Sequence, residues 1–455
     1  MTRIHSLHGR RVWDSRGHPT VEVEVRLDSG HLGRAIAPAG ASRCTREAID
    51  LRDGGDALGG RGVSRALAAI GERTAPALVG REVADQRGVD EAMLALDPSP
   101  LKASLGGNAT VATSLAVLHA AAADAGRPLW RHVAELYGRT PSLPLPEIQI
   151  FGGGAHAGRR TDIQDFMIMV PGARDLDEVM EVTHEVYIAA GDIMARRGRL
   201  AGVADEGGWW PVFDSNEEAL ETLMEAITLA GETPGDRVVV SLDVAASEFR
   251  RDGRYRLALE DRALDSGELI DMLGAWLDTY PIASIEDPLA EDDSEAMAEF
   301  TRRHGEHVQI IGDDYLVTNA DLVESAIGDG ACNAVLIKAN QAGTVSESIA
   351  AFDAAAAAGW GTIVSARSGE SEDVSISHLS VGLGAGQLKV GSFARSERMA
   401  KWNECLRIQD ELGRDAFVGG APLARTWWGR GLGGERSRGS CGRPAGEADG
   451  GIALR

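Results

Sequence analysis

The sequence predicts an α/β protein, a closed barrel of β/α units preceded by a smaller α+β capping domain. Three observations carry that reading. Short apolar runs ending in polar residues recur between residues 238 and 391, helix-like stretches separate them, and a period-two segment near the N-terminus belongs to a different kind of sheet. At 455 residues the chain exceeds the size at which one core stops growing, so two domains are expected.

The elements follow in order. Thr20-Val-Glu-Val-Glu-Val-Arg-Leu alternates polar and apolar side chains, as a half-buried antiparallel strand does. Asp28-Ser-Gly supplies a turn, and Gly33-Arg-Ala-Ile-Ala-Pro returns as its partner. Ser64 to Leu78, Val89 to Leu96 and the Ala-rich Ala109 to Gly126 read as helices, which gives a capping domain over residues 1–135. Pro141-Ser-Leu-Pro-Leu-Pro146 interrupts both ladder types and is expected to connect the domains.

The catalytic domain is then expected over residues 140–425. Val238-Val-Val-Ser-Leu-Asp243, Ile282-Ala-Ser-Ile-Glu-Asp287 and Val308-Gln-Ile-Ile-Gly-Asp-Asp314 are apolar runs that stop at acids. Ala334 to Lys338, Gly361 to Arg367 and Leu388 to Gly391 continue the series, so strand ends recur 23 to 43 residues apart. Near-continuous apolar strands alternating with helices imply a parallel sheet covered on both faces, and six or more such units favour a barrel whose active site gathers at the C-terminal strand ends. After about 425 the chain becomes Gly/Arg-rich, and residues 426–455 are read as a disordered tail, with an RNA-binding segment as the sharper alternative.

Composition excludes several classes. No run approaches the ~20 apolar residues that span a bilayer, and the N-terminus lacks a signal-peptide core. A net charge of −23 argues against nucleic acid as a partner. The scattered cysteines Cys44, Cys332, Cys405 and Cys441 form no CxxC pair and suit a reducing, cytoplasmic setting.

Only four lysines occur, and Lys338 and Lys389 end predicted strands. A buried Lys can be tuned as a base or serve as a compact cation, whereas Arg does not give up its proton. Asp243, Glu286 and Asp313 would project from three strands into one mouth, where like charges repel unless a cation neutralises them. Oxygen ligands without paired His or Cys favour Mg²⁺. Lys338 across that site would have its pKa lowered toward a useful base, acting on a carbon made acidic by a metal-bound carboxylate. The plainer alternatives are helix N-caps and loop ion pairs for the acids, and an ion pair with one of them for Lys338.

Glycine-rich segments supply other groups. Glu206 in Ala204-Asp-Glu-Gly-Gly sits at a turn suited to a general acid, and His156 in Phe151-Gly-Gly-Gly-Ala-His-Ala-Gly sits on a mobile lid. Ala37 to Ser42 is a second lid, with Ser42 available to metal or phosphate. Arg367, Ser368 and Lys389 form a cationic acceptor for a phosphate or phosphonate and a carboxylate.

Over roughly residues 3 to 425 the chain resembles the enolase family. The matching segments include Asp14-Ser-Arg-Gly-His-Pro-Thr, Asp162-Ile-Gln-Asp-Phe-Met-Ile, Asp205-Glu-Gly-Gly, Ser284-Ile-Glu-Asp-Pro-Leu, Leu336-Ile-Lys-Ala-Asn-Gln and Arg367-Ser-Gly-Glu-Ser-Glu-Asp. The resemblance implies Asp243, Glu286 and Asp313 as ligands of one Mg²⁺, and Ser42 with substrate on a second. It implies Lys338 as the base, Glu206 as the acid for the leaving hydroxide, and Arg367, Ser368, Lys389, His156, Gln164 and Asp165 around a small anionic substrate. It also implies a homodimer or higher homo-oligomer. The family reaction is loss of water from 2-phosphoglycerate to give phosphoenolpyruvate.

Departures fall on the rim. Enolases carry Ser-His-Arg-Ser-Gly-Glu where this chain has Ser365-Ala-Arg-Ser-Gly-Glu, and Ile-Gln-Glu-Phe-Met where it has Asp165. Arg43-Cys44, Gly154 and Arg159-Arg160 are also atypical. A retained metal and base set with an altered rim is similar to the carboxyphosphonoenolpyruvate synthase branch, which serves phosphonate antibiotic synthesis and handles a larger, more anionic substrate. A divergent glycolytic enolase, a mandelate-racemase-like dehydratase and a non-catalytic binding protein are the other readings.

Overall fold

The structure, a computed structural model, describes residues 1–41 and 44–431. The chain opens with an antiparallel sheet of β1 (Ile4–Trp13), β2 (Pro19–Leu27) and β3 (Leu32–Ile36), in that spatial order. The alternating segment forms β2, but it is not half-buried as expected: Val21, Val23 and Val25 are fully covered and Glu22 and Glu24 nearly so. The polar face can be buried because Arg10 of β1 and Arg34 of β3 reach Glu24 at 3.2 and 3.1 Å. Helices Ser64–Ala69, Ala75–Leu78, Gln86–Leu96 and Gly107–Asp124 complete the capping domain. The last packs on β2 and β3.

The barrel begins inside the expected connection. β4 (Leu145–Gly152) pairs in parallel with the strand Gln387–Ser392, and Pro146 lies near its start, where one missing N–H removes a single ladder position. β5 (Asp165–Met169) and β6 (Val239–Asp243) follow. A small outlying sheet of β7 (Arg250–Arg251), β8 (Arg254–Leu257) and β9 (Arg262–Leu264) precedes β10 (Ile282–Glu286), β11 (Gln309–Gly312), β12 (Ala334–Ile337), β13 (Gly361–Ser365) and β14 (Gln387–Ser392). The barrel closes in the order β10-β11-β12-β13-β14-β4-β5-β6.

One strand departs from the expected parallel sheet. β5 runs antiparallel to both β4 and β6. The segment between β4 and β5 holds the short turn Gly154–Ala157 and no crossover helix, so the chain can only return beside itself. Elsewhere the β/α rhythm holds. The helices starting at Leu176, Asn216, Ser266, Ala320 and Val345 are capped by Asp175, Ser215, Asp265, Asn319 and Thr344, each accepting a backbone N–H three residues on.

The packed chain runs past 425. Trp427 is fully buried and its indole donates to the Ile282 carbonyl at 2.7 Å, so residues 426–428 pack on the barrel where a tail was expected. An aromatic ring with a partnered N–H outweighs the surrounding Gly/Arg bias. The rest of the expected tail, 432–455, lies outside the described residues. Among the described residues no helix is long and apolar enough to cross a membrane.

Candidate active site

Strand direction decides which side chains meet. Asp243 and Glu286 end β6 and β10 and are register partners, Asp313 and Lys338 follow β11 and β12, and Arg367 and Ser368 follow β13. Because β5 is reversed, its first residue, Asp165, lies at the same rim and pairs with Asp243. All of these strand ends except the fully buried Glu286, with Lys389 of β14, line one pocket together with His156, Gln164, Glu206 and Ala366.

The acids do not face one another across a gap. The Lys389 ammonium lies 2.8 Å from Asp243 Oδ2 and 2.7 Å from Glu286 Oε2, with Asp165 Oδ2 at 3.6 Å. Lys338 donates to Asp313 Oδ2, and Gln341 donates to Asp313 Oδ1 at 2.9 Å. Burial opposes the Lys338 charge, but Asp313 and Glu286 together hold the ammonium above its ordinary value. The shift is therefore opposite to the expected lowering, and Lys338 is paired with Asp313. Burial opposes ionisation of Asp313 in turn, yet Lys338 and Lys389 hold it below the usual carboxylate range. Glu286 goes the other way: burial and Asp243 push it well up against the pull of Lys389.

The second group sits opposite. His156 Nε2 is 3.7 Å from Glu206 Oε1 and 4.0 Å from Asp165 Oδ1, all three side chains being buried. Burial pushes Asp165 up to about 6 against His156 and Lys389. Burial also acts on Glu206, but His156 and Arg398 bring it below its ordinary value. Gln164 donates to Asp243 Oδ2 at 3.1 Å, tying this group to the acids. Arg367 is held by Glu47 at 3.0 and 3.2 Å and by Asn340 at 3.0 Å, so its charge is shared with the capping domain.

The donor set suits a hard cation. Asp243 and Glu286 already converge on one positive centre, and Glu286 Oε1, Asp165 Oδ2 and Gln164 Oε1 are buried with no hydrogen-bond partner among the described residues. Two groups, His156–Asp165–Glu206 and Asp287–Asp313–Asp314, bring ligand atoms within 4.8 Å of one another. Asp287 is the weaker donor, since its oxygens accept the backbone N–H groups of Asp313 and Asp314 at 3.0 and 2.7 Å. Burial and Asp313 push it up to about 8.

Ser42, expected on a second cation, lies outside the described residues, as does Arg43. Arg159 pairs with Glu248 at 2.7 Å away from this pocket and adds no charge to it. Several participants were not anticipated. Arg16 donates to Ser368 Oγ at 3.2 Å and to the carbonyls of Ala39 and Gly40 at 2.9 and 3.3 Å, bringing the capping domain to the rim. Arg16, Gln341 and Asp287 sit inside segments that carried the resemblance, which was the available signal. Glu47 had none.

Two family models match. Enolase, N-terminal domain, covers residues 4–133, and Enolase, C-terminal TIM barrel domain, covers residues 140–426. They meet where the capping domain gives way to the barrel, and together they span nearly all of the described chain. With strand-end acids and lysines gathered at the barrel's C-terminal rim, the chain belongs to the enolase family.

Proposed function

We propose that this chain is a Mg²⁺-dependent lyase that forms an enolpyruvate product from a small phosphorus-bearing three-carbon acid, specialised as a carboxyphosphonoenolpyruvate synthase. The observation that carries the specialised reading is Ala366. It lies in the pocket wall between Ser365 and Arg367, where a methyl group occupies the place of the family's imidazole and leaves room for a bulkier acid. Asp165, one methylene shorter than the family's Glu, lines another part of the same pocket.

Asp243, Glu286 and Asp313 would hold Mg²⁺, whose bound charge stabilises the enolate of the substrate carboxylate. Lys338 removes the α-proton. Burial, Arg367 and Lys389 favour its neutral form, while Asp313 and Glu286 hold its pKa above the ordinary value. Glu206 is assigned the proton for the leaving oxygen, although against burial His156 beside it at 3.7 Å and Arg398 hold it below its ordinary value. Plain dehydration of 2-phosphoglycerate is the second reading, favoured by the buried Glu206–His156 pair facing Lys338 in one pocket. Product analysis with 2-phosphoglycerate alone, and with an activated phosphonoformate added, separates them. A carboxyphosphono ester appearing only in the second mixture supports the specialist. Phosphoenolpyruvate formation at an ordinary enolase rate, unaffected by the phosphonate, overturns it.

A further inference from the structure

Gln149 lies inside the barrel on β4, fully buried, and its amide bridges two parts of the site. Its Nε2 donates to Asp165 Oδ1, and its Oε1 accepts the backbone N–H of Gly208 at 2.9 Å. Gly208 closes the turn that carries Glu206. The amide fits only because two neighbours lack side chains. A Cβ on Gly152 would stand 2.8 Å from Gln149 Oε1, and one on Gly208 would stand 2.4 Å from the same atom. Both contacts are closer than real Cβ atoms make, so the slot is shaped to this side chain.

We propose that Gln149 is a positioning residue whose length is matched to the short carboxylate of Asp165, so that it sets where Asp165 stands and ties it to the Glu206 turn. An amide with two methylenes meets a carboxylate with one. An Asn at 149 would fall short of Asp165, and a Glu at 165 would collide with the existing amide. Changing both together moves the junction along the same line and preserves the reach. The inference rests on the reading of Asp165 and Glu206 as groups that serve substrate.

The test compares the full chain with Gln149→Asn, Asp165→Glu and the double variant. Turnover and α-hydrogen exchange of 2-phosphoglycerate with Mg²⁺, and thermal midpoints, are measured for each. Each single change should lower kcat by about tenfold or more with KM changed less than threefold. The double variant should return to within about threefold of the original, because residues in contact are not additive. A double variant whose loss is the product of the two single losses overturns the proposal. So does coupling seen in the midpoints while the kinetic losses multiply, since Gln149 would then only fill space. If the unaltered chain neither dehydrates 2-phosphoglycerate nor exchanges its α-hydrogen, the dehydration reading fails by itself. The length match is then judged on the midpoints: a double variant melting no higher than the summed single losses predict overturns it.

Discussion

Two lysines held by acids at one rim make the roles of single residues separable. Lys338 donates to Asp313 while Glu206 sits beside His156 across the pocket, so proton removal and leaving-group departure fall to different side chains. Lys338→Ala is expected to abolish exchange of the substrate α-hydrogen with solvent deuterium. Glu206→Gln should retain measurable exchange while elimination falls by roughly 10²-fold or more, the usual scale for a lost general acid. NMR of recovered substrate reads both, and normal exchange in Lys338→Ala places the base elsewhere. Below the rim, Glu147 is a carboxyl inside the barrel, bonded to Ser241 at 3.2 Å and to Gln387. Burial pushes it up to about 7 despite Lys389. Its folded pKa lies above the ordinary value of 4.5, so it costs nothing at pH below that value and destabilises the fold increasingly as pH rises through about 7. Glu147→Gln should therefore leave stability near pH 5 little changed and raise it near pH 9, by on the order of 3 kcal/mol. Equal stability changes at both pH values in urea titrations would contradict the ionised, buried carboxylate.

At the scale of elements, the strands that were legible are those buried on both faces. β6 and β10 to β14 read as continuous apolar runs because helices cover them, and their polar ends were visible because a barrel gathers strand ends at one rim. β1 was not legible, since Ile4-His-Ser-Leu-His-Gly-Arg-Arg shows no alternation and owes its place to pairing with β2. β4 was hidden by Pro146 and the prolines just before it, and β5 by its length and reversed direction. The loop after β13 shows why the rest of the site was hard to read. Arg398, completely buried on the helix Ser396–Leu412, donates to the carbonyls of Arg367 and Val390 at 2.7 and 2.8 Å and also to that of Ser368. Nothing local in the sequence marks such a contact. Arg398→Met should cost about 3–5 kcal/mol, because it strands buried carbonyls rather than merely losing a charge. Arg398→Lys should recover only part of that, since an ammonium cannot reproduce the guanidinium fork. Urea unfolding decides it, and a loss under about 1 kcal/mol for Arg398→Met would remove Arg398 as the anchor of this loop.

At the scale of the whole molecule, the site is assembled from distant parts of the chain and so is tied to global stability. Arg16 reaches Ser368 across 352 residues and Glu47 reaches Arg367 across 320, joining the capping domain to the barrel through the pocket wall. Such pairings depend on how the two domains close, which is why a single sequence revealed the strand-end acids but not their partners. The same closure predicts a linkage. A ligand bound by the folded chain alone stabilises it by about 2.7 kcal/mol at a hundredfold excess over its Kd. Asp243, Glu286 and Asp313 come to one rim only when the barrel is closed, and Glu286 Oε1 is buried with no hydrogen-bond partner among the described residues, so Mg²⁺ should raise the melting midpoint of the full chain in a concentration-dependent way. Asp243→Asn and Glu286→Gln should remove most of that increment. Their midpoints without Mg²⁺ should change less, because each keeps a side chain of nearly the same shape beside Lys389 and relieves repulsion between neighbouring acids. The deciding quantity is thus the difference between midpoints with and without the ion. Calcium-free buffers and a matched ionic strength keep general screening out of the comparison. If both variants show the same Mg²⁺ increment as the original chain, the cation is held elsewhere and the acid cluster serves only to bind the two lysines.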